Sequence, residues 1–182
     1  MKESLRLPLV LATICALAAG ILTATYGVTS ELIAARAAEA LAAGLREVLP
    51  QAETFRDRSD DPVLAGFPAI GQVHEGIRGD AVVGTVFRVT AAGYGGPVEV
   101  LVGVDAAGTV TAVRVLSAAG ETAGLGTRIM EREFLDQFAG TAEPPLEFRR
   151  DVQAITGATD SSAAVLAAAN LGLEAHAALA GR

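Results

Sequence analysis

The chain lacks the side chains on which most redox and metal centres in proteins are built. Its 182 residues include one cysteine, Cys15, and two histidines, His74 and His176. Iron–sulfur clusters need about four thiolates and c-type haem needs a Cys-x-x-Cys-His run, so both groups are excluded. A histidine-rich zinc or copper centre is disfavoured because the chain has only two histidines. No metal site is predicted, and no disulfide can form within the chain.

Basic residues are scarce beyond the N-terminus. Residues 31–182 hold 12 Lys and Arg against 20 Asp and Glu, a net charge of about −8. Nucleic-acid binding depends on a basic surface that neutralises phosphates, so this balance argues against a nucleic-acid partner. The acidity serves solubility, and we assign no other function to it.

Charge is absent altogether from one long segment near the N-terminus. The 24 residues 7–30 carry no charged side chain, which is enough helix to cross a hydrocarbon core of about 30 Å. Lys2 and Arg6 precede the segment, and flanking positive charge favours the cytoplasmic side. We therefore predict a single-pass anchor with the following domain outside the inner membrane. The alternative is a signal peptide cut near residues 23–24, although the run is longer than a typical signal core.

Periodicity predicts an α+β domain after the anchor. Helical spacing over residues 31–49 predicts a stalk helix that ends at Pro50. Residues 57–79 are rich in Asp, Gly and Pro and predict an irregular connection, with a short strand near residues 70–73. Strands are predicted over 81–90, 98–105 and 109–117, and helices over 131–138 and 160–179. The expected architecture is an antiparallel sheet with helices, organised as an anchor (1–30), a stalk and connection (31–79) and a domain (80–182).

The most informative stretch lies just ahead of the last predicted helix. It reads Gln153-Ala154-Ile155-Thr156-Gly157-Ala158-Thr159-Asp160-Ser161-Ser162. A helix start gathers unpaired N–H groups and the positive end of the macrodipole, so it favours an anion. Gly157 and Ala158 leave the approach open, and the Thr159 oxygen is suited to carry a phosphoryl group. The alternative is an ordinary N-cap made by Thr159, Asp160 or Ser161, whose loss costs about 1 kcal/mol.

This pattern resembles the flavin-attachment motif of the FMN-binding domain family. Two bacterial membrane complexes share that domain, the Rnf ferredoxin:NAD oxidoreductase and the sodium-pumping NADH:quinone reductase. In the family, the last threonine of a (Ser/Thr)-Gly-Ala-Thr core is joined to FMN by a phosphoester. The resemblance implies that Thr159 is the attachment point. The rest of the implied motif is Thr156, Gly157, Ala158 and Ser161. One departure is Gln153, which stands where the family usually has an acidic residue.

Two other segments resemble the same family and occur in its order. Residues 93–105 resemble its glycine turn and core strand, and residues 121–126 match its Glu-Thr-Pro-Gly-Leu-Gly loop except at Ala123. The histidine often found before that loop is absent. The resemblance implies that the loop forms a wall of the flavin site. The implied flavin contacts are Glu121, Thr122, Leu125 and Gly126.

Each of these segments also has a purely structural interpretation. The loop is alternatively a turn that needs positive φ at Gly124 and Gly126. Glu121 is alternatively a solvated loop carboxylate. Tyr94, in the glycine turn, either stacks on the flavin or caps the sheet.

The resemblance implies a flavoprotein subunit that relays electrons through covalent FMN within an ion-translocating oxidoreductase complex. FMN fits a chain that lacks thiolate ligands, and no catalytic residue or independent substrate turnover is expected. The implied partners are other membrane subunits of the complex and a flavin transferase. The implied location is the bacterial inner membrane, with a periplasmic domain.

The sequence is compatible with three identities for this protein. We expect the G subunit of an Rnf-type complex, because the C subunit of the sodium-pumping reductase, the first alternative, is usually longer. The second alternative is a membrane-anchored structural module without flavin, in which Thr159 is a plain cap.

Overall fold

The computed structural model describes residues 2–181, which form two compact units that divide between Ala40 and Leu41. Helix α1 spans Lys2–Val48. Over residues 6–40 its large apolar side chains are exposed; Ile21, for example, is 68% exposed. Among the described residues, two helices are long and apolar enough to cross a membrane, and in this one the apolar window is not buried at all.

The threonines of this apolar helix satisfy their hydroxyls internally. Thr13, Thr23, Thr25 and Thr29 each donate to the carbonyl four residues earlier, at 2.8–2.9 Å. A hydroxyl bonded in this way needs no water, so it is compatible with an apolar surrounding. The helix is therefore suited to lipid along this run.

The second unit is built on a five-stranded antiparallel meander. Its strands lie side by side in chain order, and they are β1 (Thr54–Asp57), β2 (Ile70–Arg78), β3 (Ala81–Ala92), β4 (Pro97–Asp105) and β5 (Val110–Ser117). The 3₁₀ helix Pro62–Gly66 lies between β1 and β2, and the 3₁₀ helix Gly126–Met130 follows β5. Further along are α2 (Arg132–Leu135), the 3₁₀ helix Asp136–Phe138 and α3 (Thr159–Ala180). The predicted α+β class is confirmed.

Both faces of the sheet are buried. Successive side chains of a strand point to opposite faces, so Phe87 and Val89 of β3 join the main core on the α3 side, whereas Val86 points away from it. Val86 and Leu101 pack instead with the residues at the end of α1. Helix α3 is the second helix that is long and apolar enough to cross a membrane. It contacts β3 and β4, so the sheet covers part of its surface.

The predicted short strand near residues 70–73 is present, but the expectation of an irregular connection was wrong for residues 74–78, which continue that strand to form β2. Gly76 and the charged Glu75 interrupt the strand pattern in the sequence. In the fold, Glu75 is 8% exposed and pairs with Arg58, which also reaches Asp61 at 2.7 Å. A buried carboxylate is tolerated when it is paired. Strand β1 was missed as well, because four mostly exposed residues carry little hydrophobic periodicity.

His176 lies on α3 against the turn between β4 and β5. Its ring is 3.8 Å from the position that a Cβ on Gly108 would occupy. Its Nδ1 is buried and has no hydrogen-bond partner in the described chain. Burial lowers the pKa of His176, and the nearby Asp105 partly opposes this shift. His74 on β2 also has a pKa lowered by burial.

We expect the second unit to lose stability as the pH falls below about 6.5, the ordinary histidine pKa. Below that value the unfolded chain binds more protons than the folded chain, so the free energy of unfolding decreases with falling pH. Urea unfolding of the full chain in detergent, followed from about pH 7.5 to 5.5, measures this slope. His176→Gln should make the decrease shallower. An unchanged slope would show that this imidazole is not responsible.

Candidate functional site

The three segments that resemble the FMN-binding domain family meet at one cavity. It has a volume of about 400 Å³, within the range of small-molecule sites. The turn of residues 93–96, the loop of residues 121–126 and the start of α3 surround it. Its lining residues are Tyr94, Glu121, Thr122, Leu125, Gly126, Gly157, Ala158, Thr159, Asp160 and Ser161. Residues that are far apart in the chain therefore share one site.

Most of the residues that the sequence singled out line this cavity. Thr156 does not; it lines a neighbouring cavity of about 240 Å³ together with Gln153. Tyr94 lines the cavity and is 73% exposed, so little of its side chain packs on the sheet. Asp160 was not predicted as a site residue, and its position next to Thr159 was the one signal that could have found it.

The start of α3 has no side-chain cap. Its N-cap residue is Ala158, and no side chain bonds the first N–H groups. The alternative that Thr159, Asp160 or Ser161 is the N-cap is therefore wrong. Thr159 is the first helical residue; it is exposed, and its hydroxyl makes no hydrogen bond to any described residue. Unsatisfied N–H groups and the helix dipole leave this end suited to an anion.

The loop ahead of Thr159 is held by internal hydrogen bonds. The Ala158 N–H donates to the Ile155 carbonyl at 2.9 Å. The buried Ser162 hydroxyl accepts from the Ile155 N–H at 3.1 Å and donates to the Ala158 carbonyl at 2.8 Å. Gly157 lies between them with φ of +84°, a conformation that favours glycine. The loop therefore presents Thr159 in a defined position.

Glu121 connects the three walls of the cavity. It is 8% exposed, so the alternative of a solvated carboxylate is wrong. Its Oε2 accepts from the Ser161 hydroxyl at 2.5 Å, and its Oε1 accepts from the Gly95 N–H at 3.3 Å. A Cβ on Gly93 or Gly126 would overlap this carboxylate. These glycines therefore make room for the Glu121 side chain.

The alternative interpretation of the loop of residues 121–126, a turn with positive φ at both Gly124 and Gly126, holds for Gly124 only. Gly124 has φ of +76°, and its N–H donates to the Thr127 hydroxyl at 3.0 Å. Gly126 does not have positive φ; it is buried and begins the 3₁₀ helix Gly126–Met130. Its role is space for Glu121 rather than backbone conformation.

The residues present fit an FMN molecule. The open helix end and the exposed Thr159 hydroxyl suit the phosphate. Leu125 is 42% exposed at the cavity, so it and Tyr94 offer contact area to an aromatic ring. The Thr122 hydroxyl is exposed and has no partner among the described residues, so it is available to a ring carbonyl.

The chain is similar to known proteins over this region. A sequence profile of the FMN-binding domain matches residues 93–174, which include every residue lining the cavity. The G subunit of the Na(+)-translocating ferredoxin:NAD(+) oxidoreductase complex of Acetobacterium woodii is 32% identical over 193 residues, covering 96% of this chain and 92% of that protein. The G subunit of the ion-translocating oxidoreductase complex of Cereibacter sphaeroides is 42% identical over 117 residues, covering 59% and 51%. The chain thus spans about half the length of the Cereibacter relative.

Two solved structures share the fold. The NqrC protein of Shewanella oneidensis matches with a TM-score of 0.50 at 19% identity, covering 60% of this chain and 59% of that one. The C subunit of the Na(+)-translocating NADH-quinone reductase of Parabacteroides distasonis matches with a TM-score of 0.51 at 22% identity, covering 67% and 68%. Identities this low show the fold alone. The Acetobacterium relative, which is aligned over 92% of its length at 32% identity, shows that the chain belongs to the family of G subunits of ion-translocating oxidoreductase complexes, and the matched profile shows that it contains the FMN-binding domain.

Proposed function

We propose that the chain is a membrane-anchored flavoprotein subunit that relays electrons through FMN joined to Thr159 by a phosphoester. The observation that carries this proposal is the uncapped start of α3, with the free Thr159 hydroxyl at a cavity inside the matched domain. A phosphodiester there carries one negative charge, and the unpaired N–H groups of the helix stabilise it.

FMN supplies reversible one- or two-electron chemistry when it is bound. The chain's own residues hold and surround it. Leu125 and Tyr94 provide apolar contact, and the Thr122 hydroxyl provides a hydrogen bond. Because FMN would be linked through its phosphate, the bond to Thr159 would not be conjugated with the isoalloxazine ring. Its potential is then set by these surrounding contacts.

A covalent bond has a physical rationale in this location. We propose that residues 1–30 form the inner-membrane anchor, with a short cytoplasmic N-terminus, and that the domain lies in the periplasm. FMN lost there is not replaced from the cytoplasm, and a phosphoester prevents that loss. Residues 31–79 then serve as stalk and connection, contributing β1 and β2 to the sheet, and residues 80–182 hold the FMN site.

The proposed partners are the other membrane subunits of an Rnf-type complex and a flavin transferase. The run over residues 7–30 has no charged side chain, and ion pathways through membranes depend on intramembrane polar or charged groups. We therefore assign ion movement to the partner subunits. The alignment over 92% of the Acetobacterium protein favours the G subunit, whereas the likeness to the C subunits is one of fold.

Intact mass measurement of the full chain tests this proposal. Produced with a flavin transferase, the chain should carry one FMN adduct, and peptide mapping should place it on Thr159. Without the transferase, the mass should be that of the bare chain. An unmodified chain purified from its own host's membrane would contradict the proposal and favour the structural module. Subunits that co-purify from that membrane identify the complex.

A further inference from the structure

Ser162 bonds the loop that carries Thr159, although it lines neither cavity beside that loop. Its side chain is fully buried, and it is not among the residues that surround the cavity of Thr159 or the neighbouring cavity of Thr156. A flavin or a modifying enzyme at the surface therefore has no access to the Ser162 hydroxyl. Any effect of this hydroxyl on Thr159 has to pass through the loop.

The loop is a tight turn of residues 155–158. The Ala158 N–H donates to the Ile155 carbonyl at 2.9 Å, and Gly157, the third residue of the turn, has φ of +84°. This bond with positive φ at the third residue is the pattern of a type II turn. The Ser162 hydroxyl accepts from the Ile155 N–H at 3.1 Å and donates to the Ala158 carbonyl at 2.8 Å. One hydroxyl thus bonds the first N–H and the last carbonyl of the turn, and we call this arrangement the closed turn.

The closed turn separates two exposed threonines. Thr156 lines the neighbouring cavity of about 240 Å³, whereas Thr159 lines the cavity that fits FMN. Both side chains are exposed and carry the same hydroxyl, so only their surroundings distinguish them. Thr159 is the one that begins α3, where unpaired N–H groups favour a phosphate. The conformation of the turn therefore decides which hydroxyl meets the flavin phosphate.

Removal of the Ser162 hydroxyl should open the turn. The Ala158 carbonyl keeps its helical bond from the Ser162 N–H at 2.9 Å, but the Ile155 N–H loses its acceptor. An unpaired N–H favours conformations in which it meets water. The one bond that remains within the turn does not offset the entropy of ordering its four residues. The open form should therefore predominate in Ser162→Ala.

We propose that Ser162 is a positioning residue for flavinylation, because the closed turn is the form in which a flavin transferase accepts Thr159. This inference rests on the proposed function for the acceptor and for the modifying enzyme. In that step the Thr159 oxygen bonds the FMN phosphorus, and the phosphoanhydride bond of a flavin dinucleotide breaks and releases the other mononucleotide. The hydroxyl proton passes to solvent. Ser162 contacts none of the reacting atoms and acts through the turn.

Flavinylation kinetics of the full chain in detergent test this assignment. Initial rates of adduct formation, read by intact mass, are measured with purified transferase, saturating flavin dinucleotide and a range of chain concentrations. A turn that is mostly open reduces the fraction of chains that bind productively, so the KM for Ser162→Ala should rise about five-fold or more. The kcat should stay within about two-fold of the wild-type value, since the bound complex is the same.

Asn170→Ala is the matched control for these rates. Asn170 also lies on α3, and its side-chain amide also makes two bonds to a loop backbone. It accepts from the Leu146 N–H at 2.6 Å and donates to the Leu146 carbonyl at 3.1 Å. It lines neither of the two cavities, so its replacement removes a comparable pair of bonds and leaves the turn closed. The KM of Asn170→Ala should equal that of the wild type.

Amide hydrogen exchange of the unmodified full chain is a second measurement, and it needs neither FMN nor transferase. In the wild type, the bonded N–H groups of Ile155 and Ala158 should exchange slowly. Those of Thr156 and Gly157, which donate to no described residue, should exchange fast. Ser162→Ala should bring the slow pair to the fast rate. If Ser162→Ala does not fold, the wild-type pattern decides, and four equally fast amides would overturn the closed turn.

The kinetic outcomes separate this inference from the proposed function. An unchanged or lower KM in Ser162→Ala would overturn the role of Ser162 alone, because the transferase would then accept the open loop. An equal rise in Ser162→Ala and Asn170→Ala would also overturn it, since lost stability would explain both. A wild-type chain that takes no adduct contradicts the proposed function itself, and a role of Ser162 in flavinylation is then excluded with it.

Discussion

Thr159→Ala is expected to remove the FMN adduct completely while leaving the folded domain unchanged. The variant lacks the oxygen to which we assign the phosphoester, so the intact mass after expression with a flavin transferase should be that of the bare chain. Little stability should be lost, because the Thr159 hydroxyl makes no hydrogen bond to any described residue. Thr159 also does not cap the helix, since the N-cap residue is Ala158. Alanine also favours the helix. The free energy of unfolding should change by less than about 0.5 kcal/mol, below the roughly 1 kcal/mol expected of a cap.

Thr122→Ala is the matched control for this experiment. Thr122 lines the same cavity with an exposed hydroxyl on a different segment, so its replacement should leave the adduct mass intact. A Thr159→Ala chain that retains the full adduct mass would show that the acceptor is a different residue. Peptide mapping of that variant would then identify it.

Phe138→Ala is expected to lower the free energy of unfolding by about 3–5 kcal/mol, the range for removing a large buried aromatic ring. Phe138 is fully buried in the main core. Its ring meets Phe134 edge to face, with centroids 5.5 Å apart and planes at 82°, and such pairs add stability beyond their buried area. Because small domains are stable by only about 5–15 kcal/mol, this loss is a large share. Urea unfolding of the full chain in detergent measures it.

Tyr94→Ala is the aromatic control for that loss. Tyr94 is 73% exposed, so its removal should change stability by less than about 0.5 kcal/mol. A loss below about 1 kcal/mol in Phe138→Ala would contradict the core described above, since it would mean that the ring is not enclosed.

The predicted elements succeeded where periodicity was strong. The expected strand over residues 98–105 is β4, and the expected helix over residues 160–179 is α3, each with bounds within two residues. Strand β2 was predicted four residues long and has nine, because a buried charge and a glycine disrupt its alternation. The single helix predicted over residues 131–138 is instead a short α-helix, α2, followed directly by the 3₁₀ helix Asp136–Phe138.

The sequence by itself determined the α+β class, the apolar run near the N-terminus and the order of the three motifs, because these depend on local composition and spacing. Only the tertiary structure decided that Glu121 is buried, that Ser161 bonds it and that the start of α3 is uncapped. Glu121 reaches Gly95 across 26 positions and Ser161 across 40. Contacts at such separations arise from how the sheet and α3 pack, and no local pattern encodes them.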